Sequence, residues 1–206
     1  VTPDAEALTR KAAQRFSDLA REAVEKRGRF SVALSGGSTP GSLYRLLAAQ
    51  PYRDQIPWQD VYLFWGDERC VPPSDPGSNY RLAERALIRH VPLPADNLFR
   101  MRGELSPDAA ARNYDKVLQD FFCGPRPRFD LVLLGLGSDG HTASLFPGTS
   151  ALLEAQQLAV QVEAHYRDRP AWRITLTLPA INTARHVLFL VQGEDKARIV
   201  QALLED

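Results

Sequence analysis

The sequence has 206 residues, 44% of them hydrophobic, which is enough to bury a sizeable core and favours one α/β domain over residues 1–206. Basic and acidic residues both number 25, and there is no run of basic residues, so we expect no nucleic-acid partner. Binding of a small anionic ligand is still compatible with this composition. Cys70 and Cys123 form no CxxC pair, and no apolar run approaches the ~20 residues of a membrane span, so we expect a cytoplasmic protein without a membrane segment.

Strand and helix patterns alternate along the chain. Residues 2–4 (TPD) have the composition of a helix start with Pro3 at the first position, and Gly28 is a suitable stop for that helix. Apolar, β-rich runs that predict strands cover residues 30–35, 61–65, 129–137, 158–162, 173–178 and 186–191. Further helices are predicted near residues 43–47, 80–90 and 106–121 and after Gly193. This alternation predicts βαβ units and a mostly parallel sheet flanked by helices.

Four polar, glycine-containing clusters each follow a predicted strand. They are residues 35–40 (SGGSTP), 66–69 (GDER), 135–141 (GLGSDGH) and 193–196 (GEDK). In a parallel sheet the carboxyl ends of the strands lie along one edge, where ligands bind. We therefore expect the clusters to converge on one crevice. The alternative is that they are ordinary turns, which favour glycine, aspartate and serine in any case.

The SGGSTP cluster is suited to an anion. Gly36 and Gly37 allow the backbone to approach a ligand closely. Thr39, after Ser38, is expected to cap the next helix, with Pro40 at its first position. Exposed N–H groups and the helix dipole then favour a phosphate. The cluster lacks the GK[ST] ending of a Walker A loop, and a tight turn with an N-cap explains the same residues.

The GDER cluster places two carboxylates beside a guanidinium. Arg69 can clamp a phosphate or carboxylate in bidentate fashion, and Asp67 or Glu68 can orient the ligand or act as a base. A surface ion pair explains these residues equally well. Cys70 has no nearby histidine in the sequence to activate it, so we do not expect it to act as a nucleophile.

The cluster of residues 135–141 contains two signals. Its three glycines match the GxGxxG dinucleotide fingerprint, and Glu163 follows at a suitable separation for a ribose contact. Against that interpretation, Pro147 interrupts the helix that should follow, and a pyrophosphate cradle needs neither Asp139 nor His141. We therefore favour a catalytic loop over a dinucleotide site.

His141 is the only histidine in a glycine-rich loop. Imidazole changes its protonation state near neutral pH and therefore suits a general base. The other histidines have plainer interpretations, since His90 ends a predicted helix, His165 lies in a polar stretch and His186 opens a strand. The sequence has neither HExxH nor a comparable ligand spacing, and no GxSxG elbow, so we expect no metal and no serine nucleophile.

The chain closely resembles the 6-phosphogluconolactonase family in five stretches, which run in order over about residues 31–200: SGGSTP, GDERCVPPSDPGSNYR, DLVLLGLGSDGHTASLFPG, RITLTLPAIN and FLVQGEDKA. The resemblance implies a Rossmann-like α/β fold shared with glucosamine-6-phosphate deaminases. It also implies hydrolysis of 6-phosphogluconolactone in the oxidative pentose phosphate pathway, with no required cofactor. Family members usually have further segments at both ends, so we expect residues before Val1 and after Asp206.

The resemblance also implies roles for individual residues. His141 would be the catalytic histidine, expected to activate water as a general base, and Asp139 would orient it or shape the loop. Arg69 and Lys196 would bind the anionic end of the substrate, with Arg173 as a further contact. The phosphate site would be lined by Gly36, Gly37, Ser38 and Thr39.

Two other functions stay open beside the lactonase. The corresponding deaminase motif reads approximately DGHIAFNEPG, with a functional glutamate before the proline, and Phe146 stands there in this chain. Asp67, grouped here with the substrate-binding residues, aligns with a deaminase acid and is compatible with either activity. A non-catalytic sugar-phosphate sensor is the other alternative, against which His141 and Arg69 argue together. The expected partner is a phosphorylated sugar lactone, bound by a monomer or weak homo-oligomer.

Overall fold

The computed structural model describes residues 2–123, 127–164 and 171–205, so Val1, His165 and Asp206 lie outside the described residues. The helices are α1 (Ala5–Arg27), α2 (Ser38–Leu47), α3 (Tyr52–Gln55), α4 (Asn79–Ala86), α5 (Pro107–Phe122), α6 (Leu178–Asn182) and α7 (Ala197–Glu205). The strands are β1 (Phe30–Leu34), β2 (Val61–Trp65), β3 (Asp67–Arg69), β4 (Leu98–Phe99), β5 (Leu131–Leu134), β6 (Ala159–Glu163), β7 (Trp172–Leu176) and β8 (Val187–Phe189). Short 3₁₀ turns cover Trp58–Asp60, Ile88–His90, Ala95–Asn97, Ser150–Leu153 and Glu194–Lys196.

Five strands form one parallel sheet in the order β4-β2-β1-β5-β8. β1 pairs along its whole length with β2 and on its other side with β5. Every residue of β1 and β5 is buried, as expected of central parallel strands that helices cover on both faces. The predicted α/β class with a mostly parallel sheet is confirmed, and of the five strands in this sheet the sequence pattern missed the two-residue edge strand β4.

A second sheet departs from the prediction. β6 and β7 pair antiparallel with each other, and β3 pairs with β7 to give a three-stranded sheet of order β3-β7-β6. Residues 164–171 alone connect β6 to β7. A parallel crossover needs about a dozen residues or more, so residues 164–171 are too few for a βαβ unit between β6 and β7, and the predicted parallel pairing is confined to the five-stranded sheet.

Gly66 joins the two sheets. Its N–H donates to the carbonyl oxygen of Leu34 at the end of β1, at 2.8 Å. Its own carbonyl oxygen accepts from the N–H of Leu176 at the end of β7, also at 2.8 Å. The chain therefore turns from β2 into β3 beside the carboxyl end of β1, which brings the GDER cluster to the functional edge of the parallel sheet.

Two helices begin or end differently from the prediction. The Asp4 side chain caps α1 by accepting from the N–H of Ala7 at 2.7 Å, so Pro3 precedes the helix instead of opening it. Gly28 ends α1 in the left-handed region at φ 71°, as predicted. The predicted helix over residues 80–90 is α4 followed by a separate 3₁₀ turn. No helix of the described residues is long and apolar enough to cross a membrane.

Candidate active site

The four polar clusters line one cleft of about 470 Å³ at the carboxyl edge of the parallel sheet. Its walls come from residues 35–40, Asp67, Arg69, Asn79, residues 135–137 and 141–144, Phe146, Arg173, residues 190–192, Asp195 and Lys196. Every predicted site residue lies in these walls except Asp139, which contacts the cleft through His141. The parallel topology thus brings together clusters that are far apart in sequence.

The N-terminus of α2 opens onto the cleft. Gly37 has φ 104°, a backbone value that glycine adopts readily and other residues rarely do, and the helix begins directly after it at Ser38. Thr39 therefore lies inside the first turn and is not the cap that the sequence predicted. Because no side chain of the described residues caps this terminus, its N–H groups and the positive end of the helix dipole are available to an anion.

Strand β3 explains the GDER cluster, because alternate residues of a strand face opposite sides. Asp67 lies in the cleft wall, where its carboxylate accepts from the Ser144 hydroxyl at 2.7 Å and from the Asn79 amide at 3.0 Å. Arg69 lies on the same side of β3 and donates to the carbonyl oxygen of Gly77. One short strand therefore fixes both an acid and a guanidinium in the wall.

Glu68 faces away from the cleft and holds the loop that follows β3. Its carboxylate accepts from the N–H groups of Arg69, Asn79 and Tyr80, each at 2.7 Å, and from the Ser78 hydroxyl at 2.9 Å. Burial raises the pKa of Glu68, and these hydrogen bonds oppose the shift. The carboxylate thereby tethers the N-terminus of α4, so Glu68 is a structural residue and neither a surface ion-pair partner nor a base.

Asn79 is a wall residue that sequence reasoning did not single out. Its amide donates to both the carbonyl oxygen and the carboxylate of Asp67. Its side chain also occupies the space where a side chain at position 36 would lie, since a Cβ on Gly36 would be 2.0 Å from the Asn79 Oδ1. Glycine at position 36 is therefore required by packing against Asn79, in addition to any approach of a ligand.

Two arginines face each other across the antiparallel sheet. Arg69 of β3 is the register partner of Arg173 of β7. Like charges directly opposite each other on a sheet are destabilising, and an anion bound between them would relieve this repulsion. Arg173 is 3% exposed, so its guanidinium is built into the wall.

Next to this pair, burial and the Glu68 charge raise the pKa of Cys70 to about 11, so this thiol stays protonated, in keeping with its predicted lack of nucleophilic function.

His141 is held by Asp139. The carboxylate Oδ1 lies 2.6 Å from the His141 Nδ1 and 3.3 Å from the His141 backbone N–H, which donates to it. Burial favours a raised pKa for Asp139, but the hydrogen bond to His141 and its charge outweigh burial and hold the pKa of that carboxyl below its usual range. Because an ionised carboxylate only accepts, the pairing places the ring proton on Nδ1 and leaves Nε2 of a neutral ring without one.

The backbone around this pair requires glycine at position 137. A Cβ on Gly137 would lie 2.2 Å from the His141 Nδ1 and 2.4 Å from the Asp139 Oδ1. Its N–H donates to the His141 carbonyl oxygen at 2.7 Å, which closes the loop.

The loop of residues 135–141 does not continue into the α-helix that a dinucleotide site needs, since the described residues 142–164 contain none. Glu163 lies on β6, outside the cleft. The dinucleotide interpretation therefore fails.

Two further side chains complete the cleft. The Phe146 ring, 8% exposed, packs against the His141 ring with 4.6 Å between centroids. Lys196 lies in the cleft wall with its Nζ 3.6 Å from the Asp195 carboxylate. In the described residues no group of three or more histidine, cysteine, aspartate or glutamate side chains could hold a metal ion.

Comparisons with known proteins agree with this architecture. The family model described as glucosamine-6-phosphate isomerases/6-phosphogluconolactonase matches residues 3–206. The chain is 41% identical to a 6-phosphogluconolactonase of Mycobacterium tuberculosis over 99% of its length and 84% of that protein, and 41% identical to one of a Nostoc species over 95% and 80%. The solved 6-phosphogluconolactonase of Trypanosoma cruzi superposes with a TM-score of 0.87 at 32% identity, covering 100% of this chain and 84% of that one.

Proposed function

The chain belongs to the family of glucosamine-6-phosphate isomerases and 6-phosphogluconolactonases, and we propose that it acts in this family as the lactonase, which hydrolyses 6-phosphogluconolactone to 6-phosphogluconate in the oxidative pentose phosphate pathway. The enzyme is then a carboxylic ester hydrolase. Relatives that align with most of this chain are named 6-phosphogluconolactonase, and so is the solved structure of the same fold from Trypanosoma cruzi.

The observation that carries the proposal is the His141–Asp139 pair in a cleft that also holds three cationic side chains. A carboxylate 2.6 Å from Nδ1 supports an imidazole whose Nε2 can accept a proton. Arg69, Arg173 and Lys196 suit a substrate that carries a phosphate. A general base beside an anion-binding wall is what the hydrolysis of a phosphorylated lactone requires.

In the proposed reaction, His141 takes a proton from a water molecule while the water oxygen bonds to the lactone carbonyl carbon. The bond from this carbon to the ring oxygen then breaks, and the imidazolium returns the proton to that oxygen. The net change is the addition of one water molecule across the ester bond. A positioned base contributes about 10²–10⁴-fold to such a step, and Asp139 stabilises the imidazolium between the two transfers.

Substrate binding supplies the orientation. The first turn of α2, with Gly36, Gly37, Ser38 and Thr39 in the wall, and Lys196 hold the phosphate, while Arg69 and Arg173 offer further charge-assisted hydrogen bonds. Binding energy from this remote group fixes the lactone carbonyl near His141. Asp67, held by two donors, is a positioning group in the wall.

Phe146 favours the lactonase over the deaminase. A deaminase of the family's pattern needs a carboxylate at this position, and here an aromatic ring packs directly on the His141 imidazole. An apolar neighbour keeps the imidazole from pairing with a second acid on that side. A non-catalytic sensor would have no need for the His141–Asp139 pair.

Residues 1–206 are proposed to form one domain of this family, working in the cytoplasm as a monomer or weak homo-oligomer without nucleic-acid partners. Cys70 and Cys123 form no disulfide in the described residues, which is compatible with a reducing compartment. Sedimentation velocity tests the oligomeric state, and a stable tetramer would contradict it.

The deciding experiment offers the protein two substrates. Freshly made 6-phosphogluconolactone is followed through coupled oxidation of 6-phosphogluconate, above its spontaneous hydrolysis, and glucosamine 6-phosphate is followed through release of ammonia. Fast lactone hydrolysis without ammonia release is expected. Ammonia release would establish the deaminase, and binding of 6-phosphogluconate without turnover of either substrate would establish the sensor.

A further inference from the structure

A second groove, which we call the arginine groove, lies outside the cleft and shares no lining residue with it. Its volume of about 1050 Å³ is slightly above the usual range for small-molecule sites. Its walls carry Arg45 of α2, Arg53 of α3, Arg81 and Arg85 of α4, and Arg89 and His90 of the following 3₁₀ turn. No aspartate or glutamate is among its lining residues.

Apolar residues also line the arginine groove, and we call this set of residues its apolar floor. It is formed by Ala48, Leu82, Ala86, Val91 and Pro92, of which Ala86 and Val91 are buried. The groove therefore combines a cationic wall with a surface that gains from contact with carbon atoms. Such a combination suits a ligand that carries several negative charges at one end and a ring system at the other.

Most of these arginines have no carboxylate to neutralise them. Arg89 pairs with Glu84 at 3.1 Å, whereas no ion pair to Arg53, Arg81 or Arg85 forms within the described ranges. Arg81 and Arg85 are four residues apart on α4, where like charges repel. The helix dipole favours Arg85 in the last turn but not Arg81 in the first. Helix stability thus accounts for only part of the cluster.

We propose that the arginine groove binds an oligophosphate, and specifically that of a nucleoside triphosphate, with the base on the apolar floor. Guanidinium groups bind phosphate oxygens in bidentate fashion, and several forks around one groove match a chain of phosphates. A bare oligophosphate would leave the apolar floor exposed, whereas a nucleotide covers it. This site is additional to the cleft and independent of the activity proposed for it.

Isothermal titration calorimetry with magnesium-free ATP, tripolyphosphate and adenosine tests the proposal. The test variant is Arg81→Ala/Arg85→Ala, and the matched control is Arg10→Ala/Arg21→Ala, which removes two exposed arginines of α1 and the same charge. Lys196→Ala reports any binding in the cleft. Arg53→Ala, on a different helix of the wall, gives a second reading in case the double variant does not fold.

We expect the Kd for ATP to rise by about tenfold or more in the test variant, since each charge-assisted hydrogen bond is strong. In the control and in Lys196→Ala the Kd should stay within about twofold. ATP should bind more tightly than tripolyphosphate, and adenosine should not bind measurably. Absence of ATP binding, equal weakening in the control, or loss of binding in Lys196→Ala alone would overturn the site. Tripolyphosphate binding as tightly as ATP would overturn its assignment to a nucleotide.

Discussion

Replacing Asp139 by asparagine tests how far His141 depends on its partner. The contact to be lost is the 2.6 Å hydrogen bond between the Asp139 carboxylate and the His141 Nδ1. A hydrogen bond to a charged group contributes about 1.5–3 kcal/mol, and the lower half of that range applies because the Asp139 side chain is 47% exposed. We therefore expect kcat/KM for 6-phosphogluconolactone to fall by about 10- to 40-fold, with kcat carrying most of the change.

The pH profile separates this effect from a general loss of structure. The folded-state pKa of Asp139 is lowered, so its carboxylate stabilises the fold above its unfolded pKa, and this stabilisation is lost only as pH falls through the lower folded value. Asp139 thus stays charged across the working range. In Asp139→Asn the free energy of unfolding should lose this acid dependence, while Asp120→Asn, an exposed control on α5, should keep both the acid dependence and kcat/KM of the wild type. An unchanged rate and an unchanged pH dependence of unfolding would refute the pairing argument.

Two further changes test the framework of the cleft. Gly137→Ala should reduce kcat in the coupled assay by about 100-fold or more, because its methyl group would overlap the His141 ring. In the control Gly66→Ala the methyl group makes only ordinary contacts, so kcat should stay within about threefold of the wild-type value. Glu68→Gln should lower the free energy of unfolding, measured in urea, by about 2–4 kcal/mol. The reason is that an amide cannot accept from all the donors that bind the Glu68 carboxylate. The exposed control Glu22→Gln should change the free energy of unfolding by less than about 0.5 kcal/mol. Equal effects in variant and control would contradict either argument.

The parallel sheet could be predicted from the sequence because its strands are short apolar runs between turn-forming residues. β1 and β5 are buried on both faces, so their composition alone identifies them. The antiparallel pairing of β6 and β7 could not be predicted in the same way, because an apolar run does not indicate which strand is its neighbour or in which direction that strand runs. The short connection of residues 164–171 held that information, since its length is compatible with an antiparallel pair and not with a crossover.

The convergence of the clusters followed from topology, but the detail of the cleft did not. The position of His141 after a strand predicted that it would face the functional edge, whereas an orienting role for Asp139 was implied only by the family resemblance. In the GDER cluster, Asp67 and Arg69 line the cleft while Glu68 holds the following loop. This difference depends on β3 being a strand, in which alternate side chains face opposite sides. Packing of Asn79 against Gly36 is a contact between distant segments, and no local pattern encodes it.

The central claim is that His141 is the general base of a lactonase. Its most direct test compares hydrolysis of freshly made 6-phosphogluconolactone by the wild type, His141→Ala and the control His90→Ala, which alters an exposed histidine that does not line the cleft. We predict rapid turnover for the wild type and the control and a rate for His141→Ala that is about 10²–10⁴-fold lower, approaching the spontaneous reaction. Turnover by a folded His141→Ala variant at the wild-type rate would contradict the account.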